Sequence, residues 1–151
     1  MLRPQYRTDH LCVVSARLRV TPRSAARRGA EIKKIKQLTP RWQVRWHPEA
    51  QTEAQALRDP RDREAIAHAV EKLEVEGVNL SHPHQSAIRG SGRGLRELRP
   101  RGGRSAVRPL YTRFDRRTFV ILTIAPEAKS DRRGFNAALR KASRRFSEIQ
   151  Q

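Results

Sequence analysis

Hydrophobic and polar positions fall into register at Trp42, where Trp42, Val44 and Trp46 alternate with Gln43 and Arg45. A period of two predicts a half-buried strand. His47-Pro48-Glu49 then predicts a helix start, with proline at the first helical position and an acid in the first turn. Ala50, Ala54 and Leu57 give this helix a narrow apolar stripe. Asp59-Pro60-Arg61-Asp62 predicts a second helix, with an aspartate cap, proline at N1 and an acid at N3. Ile66, Val70 and Leu73 share its apolar face, and Gly77 ends it just after Glu76. The two helices are expected to pack as a hairpin against a sheet.

A loop, Val78–Gly94, follows, and then three strands in quick succession. Leu95–Arg99 is basic and turns through Arg-Gly-Gly-Arg into Ser105–Phe114. Asp115-Arg116-Arg117 turns that strand into Thr118–Ala125, whose core FVILTIA carries no charge. Short turns bearing Gly or Asp predict consecutive antiparallel hairpins. Pro109 cannot donate to a ladder, so a bulge or an edge is expected there. A last helix is predicted from about Ser130 or Asp131 to Glu148, with Phe135, Leu139, Ala142, Phe146 and Ile149 on its apolar face. No internal repeat is visible. The element order predicts an α+β fold, with two N-terminal helices and a C-terminal helix packed on a twisted, mostly antiparallel four-stranded sheet.

Charge narrows the partners. The 151 residues contain 33 Lys+Arg against 15 Asp+Glu, a formal net charge of +18, which predicts a polyanionic partner such as nucleic acid. Six of the basic residues are lysine, leaving 27 arginines, whose planar forks suit phosphate; a GC-rich genome would give the same bias. A single cysteine, Cys12, rules out an internal disulfide and a Cys-rich zinc site. No apolar run approaches a membrane span, and LCVVSARLRV is too short and too interrupted for a secretion signal, so a cytoplasmic location is expected. Residues 1–40 hold 10 Lys+Arg and 2 Asp+Glu, lack a sustained period and read as a flexible basic arm. The competing reading is that the natural product starts inside the segment, for instance at Leu38, leaving 41–151 as the working domain.

The motifs in their order resemble the RelE/ParE superfamily of toxins, closest to the HigB or phage-derived killer-protein-like group of toxin–antitoxin systems. The matching residues are W-x-V-x-W-H-P-E-A (Trp42–Ala50), L-R-E-L-R (Leu95–Arg99), R-x-x-x-R-P-L-Y (Arg104–Tyr111), FVILTIA (Phe119–Ala125) and the basic helix after it. The resemblance implies a metal-independent, ribosome-dependent mRNA endonuclease without cofactors. In this chemistry the RNA 2′-hydroxyl attacks the adjacent phosphorus, leaving 2′,3′-cyclic phosphate and 5′-hydroxyl ends. It also implies translation inhibition and growth arrest, with a helix-turn-helix, HigA-like antitoxin as partner. Pro126-Glu127-Ala128 stands where many relatives show two lysines, and Phe135 lacks the hydroxyl that some relatives place near there.

The chemistry needs fixed cations around a phosphorane and groups able to move protons. Arg99 and Arg108, mid-strand on neighbouring strands, are the first candidates. Tyr111, His84 and Lys129 complete the expected catalytic set. Expected RNA contacts are Arg89, Arg96, Arg104, Arg113, His82, Arg132 and Arg133. Each of these has a bland reading: an arginine on a solvated face, a tyrosine capping the core, a histidine exposed in a loop, or Glu97 as a structural ion-pair partner. His82-Pro83-His84 lacks a third metal ligand at useful spacing. Gly90-Ser91-Gly92-Arg93-Gly94 precedes a strand and not a helix, so it fails as a dinucleotide loop. Two other functions remain open: a non-catalytic basic RNA-binding protein and a ParE-like gyrase inhibitor.

Overall fold

A five-stranded mixed sheet is sandwiched between helices on its two faces. The computed structural model describes residues 41–151; the basic segment 1–40, with its expected arm and Cys12, lies outside the described residues. The elements run β1 (Gln43–Trp46), α1 (Pro48–Gln55), α2 (Pro60–Glu76), β2 (Gln85–Ala87), β3 (Arg96–Leu98), β4 (Val107–Arg113), β5 (Thr118–Pro126) and α3 (Arg132–Gln150). Sheet order is β1-β5-β4-β3-β2. β1 runs parallel to β5, and the other three pairs are antiparallel.

The expected four strands are five. The added strand, β2, lies inside the predicted loop: Gln-Ser-Ala has no apolar alternation, and its pairing with Arg96–Leu98 of β3 makes it a strand. Pairing from the partner overrides a weak local preference. The helix ends follow the sequence closely. The His47 ring accepts from Glu49 N, Asp59 from Arg61 N (2.9 Å) and Asp131 from Gly134 N (2.8 Å). At Pro109 the β3 ladder has already ended, and the β4–β5 register slips between Leu110 and Tyr111.

Alternation within β4 and β5 sends side chains to two cores. On one face Leu95, Leu110, Val120 and Leu122 meet Phe135, Ala138, Ala142 and Phe146 of α3. On the other, Leu98, Tyr111, Phe119 and Ile121 meet Ala50, Leu73 and Leu80. Each fully buried large apolar side chain contributes about 1.5–3 kcal/mol, so both helical layers are held firmly. α1 serves the edge of β5 beyond the end of β1. There Glu53 accepts from Ile124 N (3.0 Å) and Thr123 Oγ1 (2.7 Å). Arg145 of α3 donates to Leu122 O (2.7 Å) and to Glu49 and Glu53.

Candidate functional site

The connection from β3 to β4 is a tight basic turn standing over α2. Arg101, Gly102 and Gly103 all have positive φ (55°, 64° and 91°), which turns the chain back within a few residues. A side chain at Gly103 would put its Cβ 2.9 Å from Arg99 Nη2, so glycine is what allows the Arg99 guanidinium to lie against the turn. Arg99 N donates to His84 O (2.8 Å), tying the turn to β2. Ser105 Oγ donates to Asp62 Oδ1 (2.9 Å), tying it to α2.

Between these elements opens a cleft of about 540 Å³. Ala65, His68, Ala69 and Lys72 of α2 form one wall, Pro83 and His84 the end, and Arg99, Arg101, Gly102 and Arg104 the other wall. No carboxylate among the described residues lines it. Arg99 Nε is buried without a hydrogen-bond partner among the described residues. His84 Nε2 lies 2.8 Å from Lys72 Nζ. His68 sits near Glu71 (3.5 Å) and Glu64 (3.8 Å). The small side chains Ala65 and Ala69 leave the room that the cations surround. Fixed guanidinium groups beside an imidazole can hold a phosphodiester and move a proton at it.

The structure gathers Arg99, His84 and Arg104 of the expected residues here. It corrects two others. Arg108 is 1% exposed and buried beneath the turn. It donates to the carbonyls of Gly103 (3.0 Å), Ser105 and Val107 (3.0 Å) and pairs with Glu127 (3.0 Å). A guanidinium so fully bonded inside the protein braces the turn. Tyr111 is 2% exposed and stacks edge-on against Phe119 at 5.7 Å. Burial pushes its hydroxyl up to about 12, with Arg96 opposing slightly; it belongs to the core.

The remaining expected residues lie away from the cleft lining. Arg96 is exposed on β3 and reaches Gln85 Oε1 (3.2 Å). Arg113 donates to Asp115 O (2.9 Å) and Arg116 O (2.7 Å), its guanidinium 5.4 Å from the Trp42 ring. His82 and Arg89 are exposed between α2 and β3, and Lys129, Arg132 and Arg133 are exposed at the start of α3. Glu97 is half-buried: burial pushes its carboxyl up, while Arg108 and Arg99 pull it down. Among the described residues no group of three His, Cys, Asp or Glu is placed to hold a metal ion.

Sequence reasoning missed Lys72, His68 and Arg101. The signal was available: His68 and Lys72 are one turn apart on α2, on a strip shared with Ala65 and Ala69. Residues 56–147 match the family described as phage derived protein Gp49-like. The chain belongs to the Gp49-like family. No curated protein matches the sequence significantly. Among solved structures, the RelBE2 toxin–antitoxin complex from Mycobacterium tuberculosis is similar, at 24% identity and TM-score 0.45, covering 58% of this chain and 99% of that one. A double mutant of the E. coli toxin RelE in the free state matches at 14% identity and TM-score 0.46, covering 65% and 97%. In this Gp49-like chain the family match spans the whole cleft, from α2 through the β3–β4 turn.

Proposed function

We propose that this Gp49-like protein is the toxin of a type II toxin–antitoxin system and a metal-independent endoribonuclease acting on mRNA at the ribosome. The observation that carries the reading is the cleft, in which Arg99, Arg101, Arg104, Lys72 and His84 surround one space with no carboxylate in its lining among the described residues. The RNA 2′-hydroxyl is the nucleophile. As it attacks, the phosphorane gains negative charge, and the guanidinium groups on the rigid turn stabilise that charge without reorganising. His84 supplies proton transfer. Arg108 positions the turn from below. The products are a 2′,3′-cyclic phosphate and a 5′-hydroxyl.

The toxin domain in this reading is residues 41–151, and the preceding basic segment adds non-specific attraction to RNA. The site of action is the cytoplasm, and no helix among the described residues is long and apolar enough to cross a membrane. The natural partner is an antitoxin of the helix-turn-helix, HigA-like kind, covering basic surface on the toxin. Induction of the full chain in a bacterial host tests the reading. Wild type is expected to arrest growth and halt translation, and Arg99→Ala to do neither while remaining folded. Arrest by Arg99→Ala equal to that of wild type would contradict the site. Arrest with translation intact and DNA damaged would favour gyrase as the target.

A further inference from the structure

The contact between Lys72 and His84 has a chemical consequence that goes deeper than the ribonuclease reading and rests on it. Lys72 Nζ lies 2.8 Å from His84 Nε2, and both side chains line the cleft together with Arg99. An ammonium has three donors and no acceptor, so the ring nitrogen facing it presents its lone pair. The single proton of the neutral imidazole is then on Nδ1. Nδ1 has no hydrogen-bond partner among the described residues, while Nε2 is fully engaged. The helix carboxylates nearby, Glu64 and Glu71, turn to His68 and leave Lys72 to the histidine. The backbone that carries the ring is fixed as well, since His84 O accepts from Arg99 N and His84 N donates to Ser81 O (3.0 Å).

A histidine in this tautomer is a proton donor at Nδ1, not a base at Nε2. We propose that Lys72 is the positioning residue and proton source behind His84, which protonates the 5′-oxygen leaving group. In the step the P–O5′ bond breaks and its electron pair takes the Nδ1 proton. Nε2 simultaneously takes a proton from Lys72, so the imidazole ends neutral with its proton on Nε2 and the lysine ends as the free amine. Solvent then restores the ammonium, and the ring returns to its starting tautomer. Proton and charge balance without any further reactant. The proton released by the 2′-hydroxyl leaves by a separate path to water.

Two measurements on the full chain test this. Nitrogen-15 NMR of the histidine rings reads the tautomer directly. His84 is expected to carry its proton on Nδ1 in wild type and in Lys72→Arg, and to lose that bias in Lys72→Met. A wild-type ring protonated on Nε2 overturns the proposal. The second measurement is cleavage by ribosomes programmed with either an ordinary message or one whose scissile 5′-oxygen is replaced by sulfur, a leaving group that needs no proton. Lys72→Met and Lys72→Arg are each expected to cut the ordinary message about 100-fold more slowly, a typical loss for a removed proton transfer. On the sulfur-substituted message both are expected to run within a few-fold of wild type. Lys72→Arg keeps the charge and the contact but does not release a proton, so it separates relay from simple support of the loop. Equal losses on the two messages overturn the relay alone. Wild-type protein that cleaves neither message overturns the ribonuclease reading and the relay with it.

Discussion

Arg99 and Arg108 carry the same side chain into opposite environments. Arg99 lines the cleft without an acidic partner among the described residues, whereas Arg108 is enclosed by three carbonyls and Glu127. Arg108→Ala is therefore expected to destabilise the fold by about 3 kcal/mol, because it strands a carboxylate and buried carbonyls. The urea midpoint of the variant checks this. Arg99→Ala is expected to keep the wild-type midpoint and to slow cleavage by about 100-fold, the usual loss for one fixed electrostatic contact. The sequence displayed both arginines but not this division, since alternation along a strand does not tell which cation meets an acid. The acid was visible too, as Glu127 in the Pro-Glu-Ala departure from the family pattern. What looked like a lost active-site lysine is the counter-ion of a buried arginine. Tyr111 misled for a similar reason: its position in the motif was legible, its 2% exposure was not.

At the scale of elements, the helices and their caps were legible because each carries its own signals, while β2 is made by its neighbour. The open edge of β5 shows how much is decided between elements. Burial alone would push the Glu53 carboxyl up, but hydrogen bonds from Arg145, Ile124 N, Thr123 and Lys141 outweigh it and hold it at about 2, against 4.5 for a free glutamate. A folded value below the unfolded one means that the folded state binds fewer protons. Its contribution is therefore present in full above about 4.5 and lost as pH falls towards 2. Thermal midpoints across that window are expected to fall less steeply for Glu53→Gln than for wild type; parallel curves would contradict the assignment. The junction of β1 with α2 is equally specific. Gly77 has φ 56°, and a Cβ there would lie 2.0–2.3 Å from the Trp42 indole. Gly77→Ala is expected to cost about 2–4 kcal/mol in urea unfolding, through overpacking and backbone strain together.

For the whole molecule, the charge of +18 favours a polyanionic partner, and in the proposed function the β3–β4 turn is where that partner is held. In that reading most of the arginines supply the general field, and a few on the β3–β4 turn supply fixed contacts. Affinity for single-stranded RNA should fall steeply with salt. Arg101→Ala and Arg104→Ala should each lower the slope of log K against log salt by about 0.7. Arg113→Ala should lower it less, because that guanidinium is bonded within the β4–β5 turn. Motif order was enough to reach a phage-derived family, but the cleft needed α2 and the turn to meet in space. The most direct measurement is mapping of RNA ends after a short induction of the full chain, with Arg99→Ala beside it. New 5′-hydroxyl and 2′,3′-cyclic phosphate ends within translated messages, present for wild type and absent for the variant, are the predicted result. Intact messages during wild-type growth arrest, or identical ends from both proteins, would contradict the account.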